Sequence, residues 1–187
     1  MRKLEELISS KDTPWKTEGA FWNYIRGGLR RGLWEKLPVK LEFIKAKRER
    51  VPLGKKTKSN PDGLVWGGRC ETCGGVFKQS ELQVDHRARA SQKPLREDLE
   101  GFIRGLVFVL FEDLAIICKD CHKIKNLAER EGIPFGKAKA IKLAIAATKQ
   151  SIKIQREELK TFGFDDSMTN NATNRRKAYE EYYLGQE

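Results

Sequence analysis

Long apolar runs are missing from this chain. No stretch approaches the roughly 18–20 consecutive apolar residues that a membrane-spanning helix needs. The longest, around Gly105–Phe111 and Leu114–Cys118, are strand-sized. No internal repeat is visible, and no low-complexity tract beyond a short Lys-rich loop, so a repeat array is excluded. The opening MRKLEELISS has neither an apolar core nor a cleavage-site pattern. A secretory signal is therefore not expected, and a cytoplasmic setting is. Cysteine is scarce, at four residues, and histidine scarcer, at two. In a reducing compartment the four cysteines are not expected to form disulfides.

What is abundant is positive charge. The 187 residues carry 37 Lys+Arg against 26 Asp+Glu, a net +11 and a pI near 9.6. Hydrophobic residues make up 39% and charged residues 34%, with a mean hydropathy of −0.61. That balance is too polar for a membrane protein and too apolar for a wholly disordered one. The length suits one domain, or one small core with substantial flanking elements. A surplus of this size favours a polyanionic partner. Nucleic acid is the first candidate and an anionic membrane surface the second. The plain alternative is a soluble basic protein with neither. Nucleic acid, and no membrane, is the expected partner.

Four regions follow one another. Residues 1–50 read as helical and basic, with 13 Lys+Arg against 7 Asp+Glu. Thr13-Pro14 is a helix start signal. Phe21, Ile25 and Leu29 then make one apolar face, and Gly27-Gly28 and Gly32 weaken or break the helix. Pro38 opens a second helix running to about Arg50, with Lys40, Lys45, Lys47 and Arg48 on its polar side. Residues 51–68 read as a loop, because Gly, Pro, Asn and Lys dominate and no period survives. Residues 69–126 carry the motifs. Residues 127–187 are helical: one long helix to about 162 after a break at Ile133-Pro134, with Ile141, Ile145, Ile152, Leu159 and Phe162 on one stripe, then a loop, then a short helix Asn174–Leu184. Such a stripe points to core packing or a partner helix. Trp15, Trp22 and Trp34 read as core for the N-terminal helices rather than as base-stacking groups.

Cys70-x-x-Cys73 and Cys118-x-x-Cys121 are matched knuckles. Each turn can aim two thiolates at one ion, and two turns supply the four soft ligands that suit tetrahedral Zn²⁺. Gly74-Gly75 lets the first knuckle turn tightly. The 44 residues between Cys73 and Cys118 exceed what a minimal zinc ribbon holds, so further structure lies between them. A redox CxxC or unlinked buried thiols are the alternatives. Structural zinc is the better reading.

Both histidines lie beside this frame. His86 ends Leu82-Gln83-Val84-Asp85-His86, whose alternation reads as a short strand. His122 directly follows the second knuckle, where the chain enters a helix. A lone His beside a knuckle is ordinarily a bystander. Two of two in that position weigh against that reading.

The order CxxC … VDH … DL-x-x-x-C-x-x-C-H-x-x-K resembles an HNH endonuclease of the phage type. The likeness covers Arg69–Lys125, under a third of the chain. It implies an α+β fold with a small ββα-metal core stapled by the four-cysteine zinc and flanked by N- and C-terminal helices. It implies that His86 is the general base activating water. It also implies that Asp85 and His122 hold a catalytic divalent ion, and that Lys125 touches phosphate. Asp113 stands where the family usually has Asn, a residue that braces the loop and orients the base. The implied activity is hydrolysis of DNA phosphodiester bonds, nicking or cutting duplex, leaving 5′-phosphate and 3′-hydroxyl.

The residue types suit that chemistry. A neutral His with a pKa near 7 can take a proton from water. One divalent ion held by a carboxylate and an imidazole keeps open positions for phosphate oxygens. An Asp ligand suits Mg²⁺, and an imidazole ligand extends tolerance to Mn²⁺ and other transition metals. Asp113 departs from the pattern, because ionised Asp only accepts hydrogen bonds. It could orient the His86 ring, lend a carboxylate to the metal, or mark reduced activity.

The insert Arg87–Glu112 is expected to hold a short helix, Pro94–Gly105, and then a strand, Val107–Phe111, as the second strand of the ββα hairpin. Arg87, Arg89 or Lys93 could touch DNA, or the insert could be a solvated loop. Candidate phosphate contacts elsewhere are Arg26, Arg30, Arg31, Lys40, Lys45, Lys47, Arg48 and the loop lysines Lys55, Lys56 and Lys58. The resemblance places the metal-site helix along the minor groove. A non-catalytic zinc-stabilised DNA-binding adaptor in a phage complex, and an RNA-directed nuclease, are the competing readings.

Overall fold

The computed structural model describes residues 4–8, 10, 13–88 and 95–186. The expected contacts at Arg89 and Lys93 and the expected helix start at Pro94 lie outside them. The fold is α+β, helices with two small antiparallel sheets. The chain divides into two compact units, one ending at Cys118 and one starting at Lys119. That boundary falls within the segment 69–126.

The first unit opens with a short helix, α1 (Leu4–Ile8), and then α2 (Glu18–Gly32). The start of α2 corrects the sequence expectation. Thr17, not Thr13, is the cap: its hydroxyl accepts from the Ala20 N–H at 3.1 Å. Glu18 adds favourable charge to the first turn. Gly27-Gly28 does not break the helix, which continues to Gly32. A 3₁₀ turn at Trp34–Lys36 leads into α3 (Pro38–Lys47), with Pro38 at the first helical position as expected. The helix stops at Lys47 rather than Arg50, because the next residues pair into a sheet.

That sheet is β1 (Glu49–Val51), β2 (Val65–Arg69) and β3 (Val76–Lys78), antiparallel in that order. The expected loop 51–68 thus has strand at both ends. Between them, the Asn60 side chain accepts from the Leu64 N–H and donates to the Leu64 carbonyl, at 3.0 and 3.1 Å. Gly67 is required by close approach. A Cβ there would collide with the Phe77 carbonyl oxygen and lie 2.5 Å from Val51 Cγ2.

The second sheet is a two-stranded pair, β4 (Leu82–His86) with β5 (Leu114–Cys118), in the register Leu82↔Cys118, Val84↔Ile116, His86↔Leu114. Here the structure corrects the second strand. Val107–Phe111 is not a strand: it runs from the last residue of a helix to the first of a 3₁₀ turn. α4 (Leu99–Val107) fills the insert, its N-terminus capped by the Asp98 carboxylate accepting from Gly101 N–H at 2.8 Å. Phe108 and Leu110 then lie exposed. The run that pairs with β4 is Leu114–Cys118, buried at all five positions. α3 packs on β5, and Phe43, Val84, Leu114 and Ile116 are buried core residues of this unit.

The second unit is four helices: α5 (Lys119–Glu131), α6 (Phe135–Ala147), α7 (Ile152–Thr161) and α8 (Ala172–Leu184). β5 runs into α5 with no residue between them. The expected break at Ile133-Pro134 separates α5 from α6, but the long helix expected beyond it, to about 162, is two helices, not one. Gly132, at φ +63°, ends α5 in the left-handed conformation. The second break, between α6 and α7, is made by Ser151, whose hydroxyl caps Ile154 N–H. The Gln155 amide also contributes, donating to the Thr148 and Gln150 carbonyls at 3.1 and 2.7 Å. Capping by the first and these donations by the second satisfy groups a broken helix leaves open. The expected stripe is only partly interior: Leu159 is buried, while Ile152 is 55% exposed. The core is instead Ala144, Ala147, Leu159, Ala178 and Tyr179, with Phe162, Phe164 and Tyr183 against it. Small buried alanines on α6 let α8 pack closely. α8 starts at Ala172, capped by Asn171, two residues earlier than expected.

Candidate metal centre and the residues around it

Cys70 follows the last residue of β2, and a tight turn brings Cys73 back beside it. Cys70 N–H donates to the Gly75 carbonyl at 2.8 Å, and Gly74 N–H to the Cys70 carbonyl at 2.9 Å. Gly74 sits at φ +71°, which is why glycine belongs there. Cys118 ends β5, and Cys121 lies in the first turn of α5. The four sulfurs all lie within 4.8 Å of one another. Zn–S bonds of about 2.3 Å in a tetrahedron put the sulfurs about 3.8 Å apart, so a modest contraction would seat the ion.

The donor chemistry fits as well. Cys70, Cys118 and Cys121 are buried and Cys73 is exposed. Burial of the Cys70 thiol pushes its pKa up, but backbone N–H groups of Cys73, Cys118 and Thr72 outweigh it and hold the pKa at about 7. One of these donors is Cys118 N–H, 3.2 Å from Cys70 Sγ. Donors aimed at sulfur favour the thiolate, the form that binds metal. The four cysteines could therefore hold a metal ion such as zinc, and among the described residues they are the converging group of three or more potential ligands.

Glu71, between the knuckle cysteines, ties this turn to β5. Its backbone N–H donates to the Ile116 carbonyl at 2.9 Å, and its carboxylate accepts from Ile116 N–H at 3.2 Å. The second carboxylate oxygen holds Arg87 Nη2 at 2.5 Å. Arg87 is thus engaged with protein as well as exposed. Nothing in the spacing of the cysteines announced Glu71. The signal was a carboxylate inside the CxxC turn.

The register puts Cys118 and His86 at opposite ends of the β4–β5 pair. His86 shares its strand face with Val84 and Leu82, and Asp85 shares the other with Gln83. The His86 ring is stacked on Trp34, with centroids 4.4 Å apart and planes at 25°. Its Nε2 atom is buried. Trp34 is buried as expected, and in addition it covers the candidate base. That contact links positions far apart in the chain, and only the fold reveals it.

Asp113 lies just before β5. Its carbonyl accepts from Arg87 N–H at 2.7 Å, closing the hairpin next to His86. Its carboxylate accepts from Leu110 N–H at 2.8 Å, bracing the turn that precedes the strand. His122 is half-buried in the first turn of α5, and the Asn126 amide lies 3.3 Å from its Nδ1. Lys125 pairs with Glu129 at 3.4 Å.

The basic candidates divide. Lys40 is corrected: it is 6% exposed, its ammonium 2.6 Å from the Glu35 carboxylate and 4.9 Å from the Trp34 ring centre. It is a buried, paired charge, not a phosphate contact. Arg30 reaches Glu35 at 3.8 Å but is more than half exposed. Arg26, Arg31 and Lys45 are exposed. Lys47 lies over the Phe43 ring, and Arg48 over the Trp66 ring.

No helix among the described residues is long and apolar enough to cross a membrane. No family model matches the chain, and no curated protein or solved structure is similar to it.

Proposed function

We propose that this chain is a metal-dependent endonuclease of the HNH type that hydrolyses phosphodiester bonds in DNA. The observation that carries the reading is the four-cysteine cluster built on an antiparallel strand pair whose other end bears His86. The zinc-binding cysteines would fix the frame and take no part in the reaction. Asp85 and His122 would hold one divalent ion, Mg²⁺ or Mn²⁺, which supplies charge neutralisation at the phosphate when bound. His86 would take the proton from water. Trp34 holds the imidazole plane. Asp113 supports the hairpin through the Leu110 and Arg87 N–H groups rather than by a charge on the metal. The surplus of 11 positive charges favours the nucleic-acid backbone.

The test is supercoiled plasmid incubated with zinc-retaining protein, with and without Mg²⁺ or Mn²⁺. Relaxed or linear DNA is expected only with the ion, and not from His86→Ala. Asp113→Asn keeps an acceptor for Leu110 N–H and is expected to keep activity. Loss of cleavage in that variant, with zinc and fold intact, contradicts the bracing role. Plasmid left intact with every ion contradicts the nuclease. If such protein still binds DNA, the reading that remains is a non-catalytic zinc-stabilised adaptor, which the turn-bracing carboxylate of Asp113 favours.

A further inference from the structure

The three-stranded sheet carries a surface apart from the residues proposed for the reaction itself. Trp66, the second residue of β2, is 44% exposed. It pairs across the ladder with Arg50, so the two side chains share one face of the sheet. Arg48, two residues before Arg50, projects to the same face. The Arg48 guanidinium carbon lies 4.3 Å from the Trp66 ring centre and that of Arg50 5.3 Å. Arg50 uses one N–H on the Leu64 carbonyl. Among the described residues neither arginine is paired with a carboxylate. Glu49, the acidic residue of β1, points to the opposite face. The loop joining β1 to β2 adds Lys55, Lys56 and Lys58, all exposed, against one acidic residue, Asp62.

From this surface we infer a phosphate-backbone clamp for nucleic acid, centred on Trp66, in which Arg48 and Arg50 are the ligating groups. A guanidinium over an indole face keeps N–H groups at its edge for a ligand, and Arg50 retains those not spent on the Leu64 carbonyl. That edge matches two phosphate oxygens. Trp66 lies against both guanidiniums before any ligand arrives, which lowers the ordering cost of each contact. A purely structural Arg–Trp–Arg stack needs no further cations, yet the adjoining loop supplies three. The inference deepens the nucleic-acid reading and rests on it for the partner, but not on the assignment of any catalytic residue.

The test is fluorescence anisotropy of a short labelled duplex, titrated with the full chain at several salt concentrations without divalent ion, so that cleavage plays no part. Arg48→Gln/Arg50→Gln is expected to bind about tenfold more weakly near physiological salt and to lower the salt slope by about two. Arg48→Lys/Arg50→Lys keeps the charge but not the planar fork, and is expected to fall between. Lys153→Gln/Arg156→Gln on α7 removes equal charge and is expected to cost little. Thermal melting of each variant checks the fold. Equal losses from the two Gln pairs, or none from Arg48/Arg50, overturn the clamp and leave the nuclease untouched. Absent cleavage with the Arg48/Arg50 effect intact overturns the nuclease and leaves the clamp. A chain that binds anionic vesicles but no duplex overturns both.

Discussion

The two units solve the problem of a small core differently. The first has two sheets of three and two short strands, held where four sulfurs, an N–H···S bond and the Glu71 clip converge. The second has four helices, with no cysteine beyond Cys121 in its first turn. Its core closes on alanines against Tyr179, with Arg175 buried at its edge. There the Arg175 guanidinium donates to Gln155 Oε1 at 2.9 Å and to the Thr169 carbonyl at 3.2 Å. The Tyr179 hydroxyl donates to Glu158 at 2.7 Å. One unit carries three of the four cysteines that could hold a metal ion, the other closes on apolar burial and a satisfied polar network. Of the groups proposed for chemistry, Asp85, His86 and Asp113 belong to the first unit and His122 to the opening turn of α5.

The comparison breaks most sharply at the sulfurs. Cys118→Ser is expected to abolish metal binding and unfold the β4–β5 pair, since it removes a ligand at a fully buried strand. Zinc per chain by mass spectrometry and circular dichroism check this. Tyr179→Ala should destabilise the second unit by about 3–5 kcal/mol, because Tyr179 is fully buried and its removal leaves a large cavity. Denaturant unfolding measures it, and metal content should not change. The smallest effect is with pH. Burial, then the neighbouring Glu158 carboxylate, raises the ionisation of Tyr179 above its ordinary value, and Tyr183 shifts the same way for the same two causes. The folded state therefore holds these protons more tightly than the unfolded chain. Their contribution is complete below about pH 10 and is lost as the pH rises above it. Alkaline titration followed by tyrosine absorbance should show late ionisation coincident with loss of helix in Tyr179-containing protein.

The sequence made the knuckles legible because two residues three apart on a turn must point together, whatever surrounds them. The strand Leu82–His86 was legible from alternation, and the helix after Cys121 from its spacing. β1 and β2 were not, because Gly67, Gly68 and the turn residues around them mask any period. The apolar runs near 105–111 and 114–118 looked alike. Only pairing decides that the first closes a helix and the second is the strand. The break before Ile152 depended on one serine and one glutamine side chain. Trp34 over His86 and the arginines over Trp66 are contacts between distant or cross-strand positions, invisible to any local pattern.

The measurement that bears most directly on this division is amide hydrogen exchange before and after zinc removal by a chelator. The account predicts lost protection in the Cys70–Gly75 turn, in β4 and β5 and at the start of α5, with α6, α7 and α8 unchanged. Uniform loss across the chain, or no loss anywhere, would contradict it.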